Sequence, residues 1–79
     1  MIKVKAYADL TKYITKEQGK FETNFNNKGK EFTVEEIINY YGIPREKIQI
    51  ILVNGLHSDV KTVVKDGDTV VFFSPVGGG

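Results

Sequence analysis

Thr69-Val70-Val71-Phe72-Phe73-Ser74-Pro75-Val76-Gly77-Gly78-Gly79 is where the fold and the function of this chain are both written. Five β-branched or aromatic residues run without interruption, the composition of a strand. Val70 and Phe72 fall on one face, and Val71 and Phe73 on the other. The residues after Ser74 cannot prolong that strand. Pro75 has no N–H for a ladder, and glycine has the most backbone freedom to lose. The stretch therefore reads as the last strand of a folded body, residues 1–75, carrying a flexible arm, Val76–Gly79.

The arm has a physical use. Without a Cβ, the glycines can enter a slot too narrow for any other residue. Four extended residues reach at most about 13–14 Å, enough to carry a terminal carboxylate from a domain surface into a partner's buried site. Ordering the arm costs about 1–2 kcal/mol per residue, which backbone hydrogen bonds along the slot must offset. An α-carboxylate is ionised at neutral pH and is a poor electrophile. Acyl chemistry on Gly79 needs activation, most simply adenylation with ATP.

Outward from that strand, the turn Lys65-Asp66-Gly67-Asp68 precedes it. Asn54-Gly55 is a hairpin signal of type I′, with Leu56-His57 beginning the return. Before it, Ile48-Gln49-Ile50-Ile51-Leu52-Val53 is almost continuously apolar and is expected to be a buried strand. A helix is expected from Thr33. Thr33 and Glu36 have capping-box spacing, Val34, Ile37, Ile38 and Tyr41 share a face, and Gly42 and Pro44 stop it. At the start, Ile2, Val4 and Ala6 alternate with Lys3, Lys5 and Tyr7, a half-buried strand. Asp9–Tyr13 is expected to be a short helical turn. A second strand comes next over Lys20–Phe25, with Phe21, Thr23 and Phe25 on one face. The order strand, strand, helix, strand, short strand, strand is α+β: one main helix packed across a four- to five-stranded sheet.

The chain has 79 residues and a net charge of +1, room for one domain and no charge bias toward nucleic acid or a membrane surface. No apolar run is long enough to span a bilayer, and Met1-Ile2-Lys3-Val4-Lys5 lacks the core of a signal peptide, so a cytoplasmic location is expected. The absence of cysteine excludes disulfides, thiolate metal sites and a cysteine nucleophile. Sulfur handled by this chain cannot ride on a side-chain persulfide. His57 is the only histidine, and Asp66 and Asp68 make a turn rather than a metal site, so no metal is expected. With no catalytic side-chain constellation in view, function falls on surfaces and on the arm. By alternation Tyr7 and Phe73 face away from the expected core. With Val71, Leu56 and Pro75 they are expected to form an apolar partner-binding patch at the base of the arm.

Val53-Asn54-Gly55, Lys65-Asp66-Gly67-Asp68-Thr69-Val70 and Phe72-Phe73-Ser74-Pro75-Val76-Gly77-Gly78-Gly79, with Met1-Ile2-Lys3-Val4 and the capped Thr33-Val34-Glu35-Glu36, resemble the MoaD/ThiS family of ubiquitin-like sulfur carriers. The resemblance implies a β-grasp (ubiquitin-like) fold with the first and last strands side by side. It implies that Gly79 is adenylated by an E1-like adenylyltransferase using ATP and magnesium. A sulfurtransferase then supplies the sulfur that makes Gly79 a thiocarboxylate. Val76, Gly77 and Gly78 would thread the partner's active site. Length and the Phe72–Val76 approach look closer to the small subunit of molybdopterin synthase, whose partner is the large synthase subunit, than to the thiamine carrier, whose partner is thiazole synthase. The family's partner contact would fall on Tyr7 and Phe73. Ser74-Pro75 stands where the family commonly has Pro-Pro, and Gly77 where it commonly has Ala. Two further readings remain beside these: a ubiquitin-like modifier joined to lysines through Gly79, and a plain interaction module with an idle arm.

Overall fold

The computed structural model describes residues 1–74. Pro75 and the arm, Val76–Gly79, lie outside the described residues. In chain order the elements are β1 (Ile2–Ala6), a 3-10 turn (Ala8–Leu10) running into helix α1 (Thr11–Ile14), β2 (Glu22–Phe25), β3 (Phe32–Thr33), helix α2 (Val34–Tyr41), a second 3-10 turn (Arg45–Lys47), β4 (Ile50–Val53), β5 (Leu56–His57), β6 (Val63–Val64) and β7 (Thr69–Phe73). Five strands form a mixed sheet in the order β2-β1-β7-β4-β5. The central pair β1 and β7 is parallel and the other pairs are antiparallel. This is the β-grasp arrangement, with the first and last strands adjacent.

The alternation of β1 explains its place. Ile2, Val4 and Ala6 are fully buried, and they meet Phe25, Val70 and Phe72 from the flanking strands. Helix α2 closes this core with Val34, Ile37 and Ile38, all fully buried. An eight-residue helix is too short to persist alone in water, so its ends are held from outside. The Thr33 hydroxyl accepts the Glu36 N–H at 3.1 Å, and the Glu36 carboxylate accepts the Thr33 N–H at 2.8 Å. The next first-turn donors, Val34 and Glu35, reach the Thr62 and Val60 carbonyls at 2.9 Å each. At the other end Gly42 is left-handed (φ 70°), and the Gly42 and Ile43 N–H groups close back on Asn39 and Ile38, a Schellman ending.

Both tight turns work as clamps on β7. Asn54 and Gly55 have φ of 52° and 83°, the backbone a type I′ turn demands. The Asn54 side chain accepts the Thr69 N–H and donates to Asp68 Oδ1, both at 3.0 Å. Asp68 also accepts the Lys65 N–H at 2.9 Å. These two hydrogen bonds hold its carboxyl below the usual aspartate range.

Three details differ from the reading of the sequence. The apolar run 48–53 becomes strand only from Ile50, and only Val53 is buried; Ile50 and Leu52 are half-buried on the face away from α2. Phe21 does not join Phe25 in the core. It precedes β2, where alternation no longer holds, and it is 42% exposed. The two-residue ladder of β3 with β6, Phe32 opposite Val64, was not expected, because two residues carry no periodicity.

Candidate functional site

The candidate site is the outer face of the sheet where β7 ends. Register places Ile50 opposite Phe73 and Leu52 opposite Val71 on β4, and Lys5 opposite Val71 on β1. Leu52 is also opposite His57 on β5. Directly opposed residues share a face, so Ile50, Leu52, Val71 and Phe73 make one apolar surface. Lys3 and Lys5 border it on the β1 side, with Lys3 paired to Glu22 at 3.7 Å.

Three rings crown this surface. Tyr7 lies against Phe73 with centroids 5.0 Å apart and planes 11° apart, and against Phe21 at 5.3 Å and 26°. Tyr7 is positioned by its backbone: its N–H donates to the Phe72 carbonyl at 3.2 Å, and its carbonyl accepts the Leu10 N–H at 3.2 Å. The chain leaves the sheet at once through Ala8, whose φ of 59° is the left-handed backbone that side chains disfavour. Phe73 is fixed from the other side, its carbonyl accepting the Gln49 N–H at 2.8 Å. The last described residues before the arm are therefore held by β1 and β4 together, and Ser74 is buried.

Of the residues singled out in the sequence, Tyr7, Val71 and Phe73 come together here. Leu56 does not. It is opposite Val53, whose face looks toward α2, and it stands 71% exposed at the sheet edge. Pro75, Val76, Gly77, Gly78 and Gly79 lie outside the described residues. Sequence reasoning missed Ile50, Leu52 and Phe21. The signal for the first two was present: pairing the 50–53 run with β7 assigns alternate residues to the outer face. Among the described residues no group of three or more His, Asp or Glu side chains could hold a metal ion, and no helix is long and apolar enough to cross a membrane.

The face offers an apolar surface of Ile50, Leu52, Val71 and Phe73 bordered by Lys3 and Lys5. A family model described as Mut7-C ubiquitin matches residues 1–76. The crystal structure of SAMP1 from Haloferax volcanii aligns with a TM-score of 0.68 and 20% identity, covering 99% of this chain and 98% of that one. At that identity the likeness speaks for the fold alone. The comparison with curated proteins gave no match. The chain belongs to the Mut7-C ubiquitin family, and its fold is ubiquitin-like.

Proposed function

We propose that this chain is a sulfur carrier, with Gly79 as the residue that bears the sulfur and the sheet as the handle that presents it. The observation that supports this most is the coincidence of two features. The Tyr7–Phe73 stack forms a docking surface at the root of a glycine arm. The chemistry is that of the arm's carboxylate. An E1-like adenylyltransferase binds ATP and magnesium, the Gly79 carboxylate attacks the α-phosphate, and pyrophosphate leaves. A sulfurtransferase persulfide then attacks the acyl carbon and releases AMP. A thiol cleaves the resulting acyl disulfide, leaving a thiocarboxylate on Gly79 and a new disulfide on the donor side. The carrier contributes no catalytic side chain; its part is to dock, thread and hold the reacting atom in place.

The acceptor we propose is the pterin precursor bound in the large subunit of molybdopterin synthase. The Phe72-Phe73-Ser74-Pro75-Val76 approach to the glycines supports that choice over thiazole synthase. The test is a variant with one residue added after Gly79. It moves the reacting carbon by one residue in a site that tolerates little misplacement. Sulfur transfer in a reconstituted synthase should be lost while folding is unchanged. Full activity of the extended protein would refute the carrier reading.

A further inference from the structure

The turn joining β4 to β5 holds the chain's one asparagine followed by glycine, Asn54-Gly55. Asn24, Asn26, Asn27 and Asn39 are followed by Phe25, Asn27, Lys28 and Tyr40. The difference is chemical. The amide nitrogen after an asparagine can attack the side-chain carboxamide carbon, and the next residue's Cβ is what ordinarily crowds that approach. Gly55 has no Cβ, and apart from its chain neighbours no atom lies within 4 Å of where one would stand. Both residues are exposed to water, and the Gly55 N–H donates no hydrogen bond among the described residues.

The nucleophile is thus open, whereas the electrophile is held. Asn54 Nδ2 donates to Asp68 Oδ1 and Asn54 Oδ1 accepts the Thr69 N–H, both at 3.0 Å. The Asn54 N–H donates to the Thr69 carbonyl at 2.8 Å. Both ends of the carboxamide are therefore tied to β7 or the turn before it. To turn its carbon toward the Gly55 nitrogen, the side chain must release both. Asp66-Gly67 has the same unhindered nitrogen, but an aspartate is ionised at neutral pH and is a poor electrophile.

We propose that Asn54 is a site of covalent self-modification, protected by its bonds to Asp68 and Thr69 and exposed to attack when the β4–β5 turn opens away from β7. The Gly55 nitrogen bonds to Asn54 Cγ and gives up its proton. The Cγ–Nδ2 bond breaks, ammonia leaves, and a five-membered imide remains. Water then opens the imide. Cleavage at Cγ leaves aspartate; cleavage at the main-chain carbonyl leaves isoaspartate, with one more carbon in the backbone. Water is the one co-reactant, and nothing is oxidised or reduced.

Neither product restores the clamp. Aspartate lacks the Nδ2 donor and sets a carboxylate against Asp68, where the nearby cation is the Lys65 ammonium, 4.0 Å from Asp68 Oδ1. Isoaspartate lengthens a turn whose φ values of 52° and 83° suit a two-residue loop. The loss of ammonia runs one way, so each converted copy keeps a record that its turn has opened. The register next to the clamp, Val53 opposite Val70 and Leu52 opposite Val71, leads directly into the apolar outer face.

The test holds the full chain at mildly alkaline pH, with and without urea, and maps the exchange of NH2 for OH by mass after digestion. Conversion is expected at Asn54 before any other asparagine, and about tenfold or more faster in urea than in the folded chain. Asp68→Ala removes the acceptor of Nδ2. It should speed conversion of the folded chain about fivefold, the factor of one lost hydrogen bond, and leave the rate in urea unchanged. Asp68→Asn keeps a carbonyl for that donor and should stay within about twofold of the parent. Asn54→Asp, one of the two products, should speed hydrogen exchange of the Thr69 amide about tenfold. The proposal is overturned if another asparagine converts first, if the folded and unfolded rates agree, if Asp68→Ala and Asp68→Asn convert alike, or if Thr69 exchange in Asn54→Asp is unchanged. The first two outcomes need only the parent chain, so they decide even where a variant fails to fold.

Discussion

Two aromatic groups sit on opposite faces of this small sheet, and they are built differently. Phe21, Tyr7 and Phe73 stack on the outer face, with planes 26° and 11° apart. Phe25, Phe32, Tyr40 and Tyr41 meet edge to face beside α2, at interplanar angles of 62–88°. Both geometries are favourable for ring pairs; what separates them is what they surround. The second group closes around Phe25, which is buried in the core. The first lies on the face away from that core, beside the strand that leads into the arm. The carrier reading assigns packing to one group and docking to the other, and substitutions should tell them apart.

The largest effect belongs to the core group. Phe25→Ala should lower unfolding stability by about 3–5 kcal/mol, read from urea denaturation, because it removes a buried ring and leaves a cavity. Its folded fraction should still dock a partner normally. Next comes Phe73→Ala, or Tyr7→Ala. Binding to the synthase large subunit, measured by calorimetry, should fall by about 2 kcal/mol, roughly 30-fold. Adenylation should be largely retained, and stability should change by no more than about 1 kcal/mol. Equal loss of binding and stability in these variants would erase the distinction between the two groups.

A finer contrast sets Leu52 against Leu56. Leu52→Ala should weaken the same binding by about 1 kcal/mol, whereas Leu56→Ala should leave it within about 0.5 kcal/mol of the parent protein. The reverse ranking would return the patch to the place first read from the sequence. The smallest contrast is one of pH. Burial, with the neighbouring Tyr40 second, pushes the Tyr41 phenol up to about 12. The folded state therefore holds that proton more tightly than the unfolded chain does. Its contribution to stability is complete below pH ~10 and is lost as pH rises through about 12. Tyr41→Phe should flatten the alkaline slope of stability, and an unchanged slope would mean the phenol is as well solvated as in the unfolded chain.

How much of this was legible in the sequence depends on the range of the signal. Thr33, Glu36 and Gly42 announced the ends of α2 because capping is a contract among residues three or four apart. Asn54-Gly55 announced its turn for the same reason. Alternation assigned Tyr7 and Phe73 to one outer face, which needed only the strand period. Leu56 failed because a face is assigned through the partner strand: its side is set by Val53 across a tight turn, and two residues of β5 carry no period of their own. Phe21 failed because its ring stacks on Tyr7 although its carbonyl still accepts the Ala6 N–H, and a ring contact of that kind is not carried by the strand period. Ile50 and Leu52 are placed only by pairing the 50–53 run with β7, because a run apolar on both faces carries no alternation of its own.

The carrier reading turns on one atom of Gly79, and intact mass reads that atom without an intermediary. The protein would be isolated from its own cells, or incubated with an E1-like adenylyltransferase, ATP, magnesium and a sulfurtransferase with its sulfur source. A fraction heavier by one exchange of oxygen for sulfur, mapped by fragmentation to Gly79, is the expected outcome. An unmodified mass, under conditions that convert an established carrier, would leave Gly79 without the chemistry assigned to it and overturn the carrier reading.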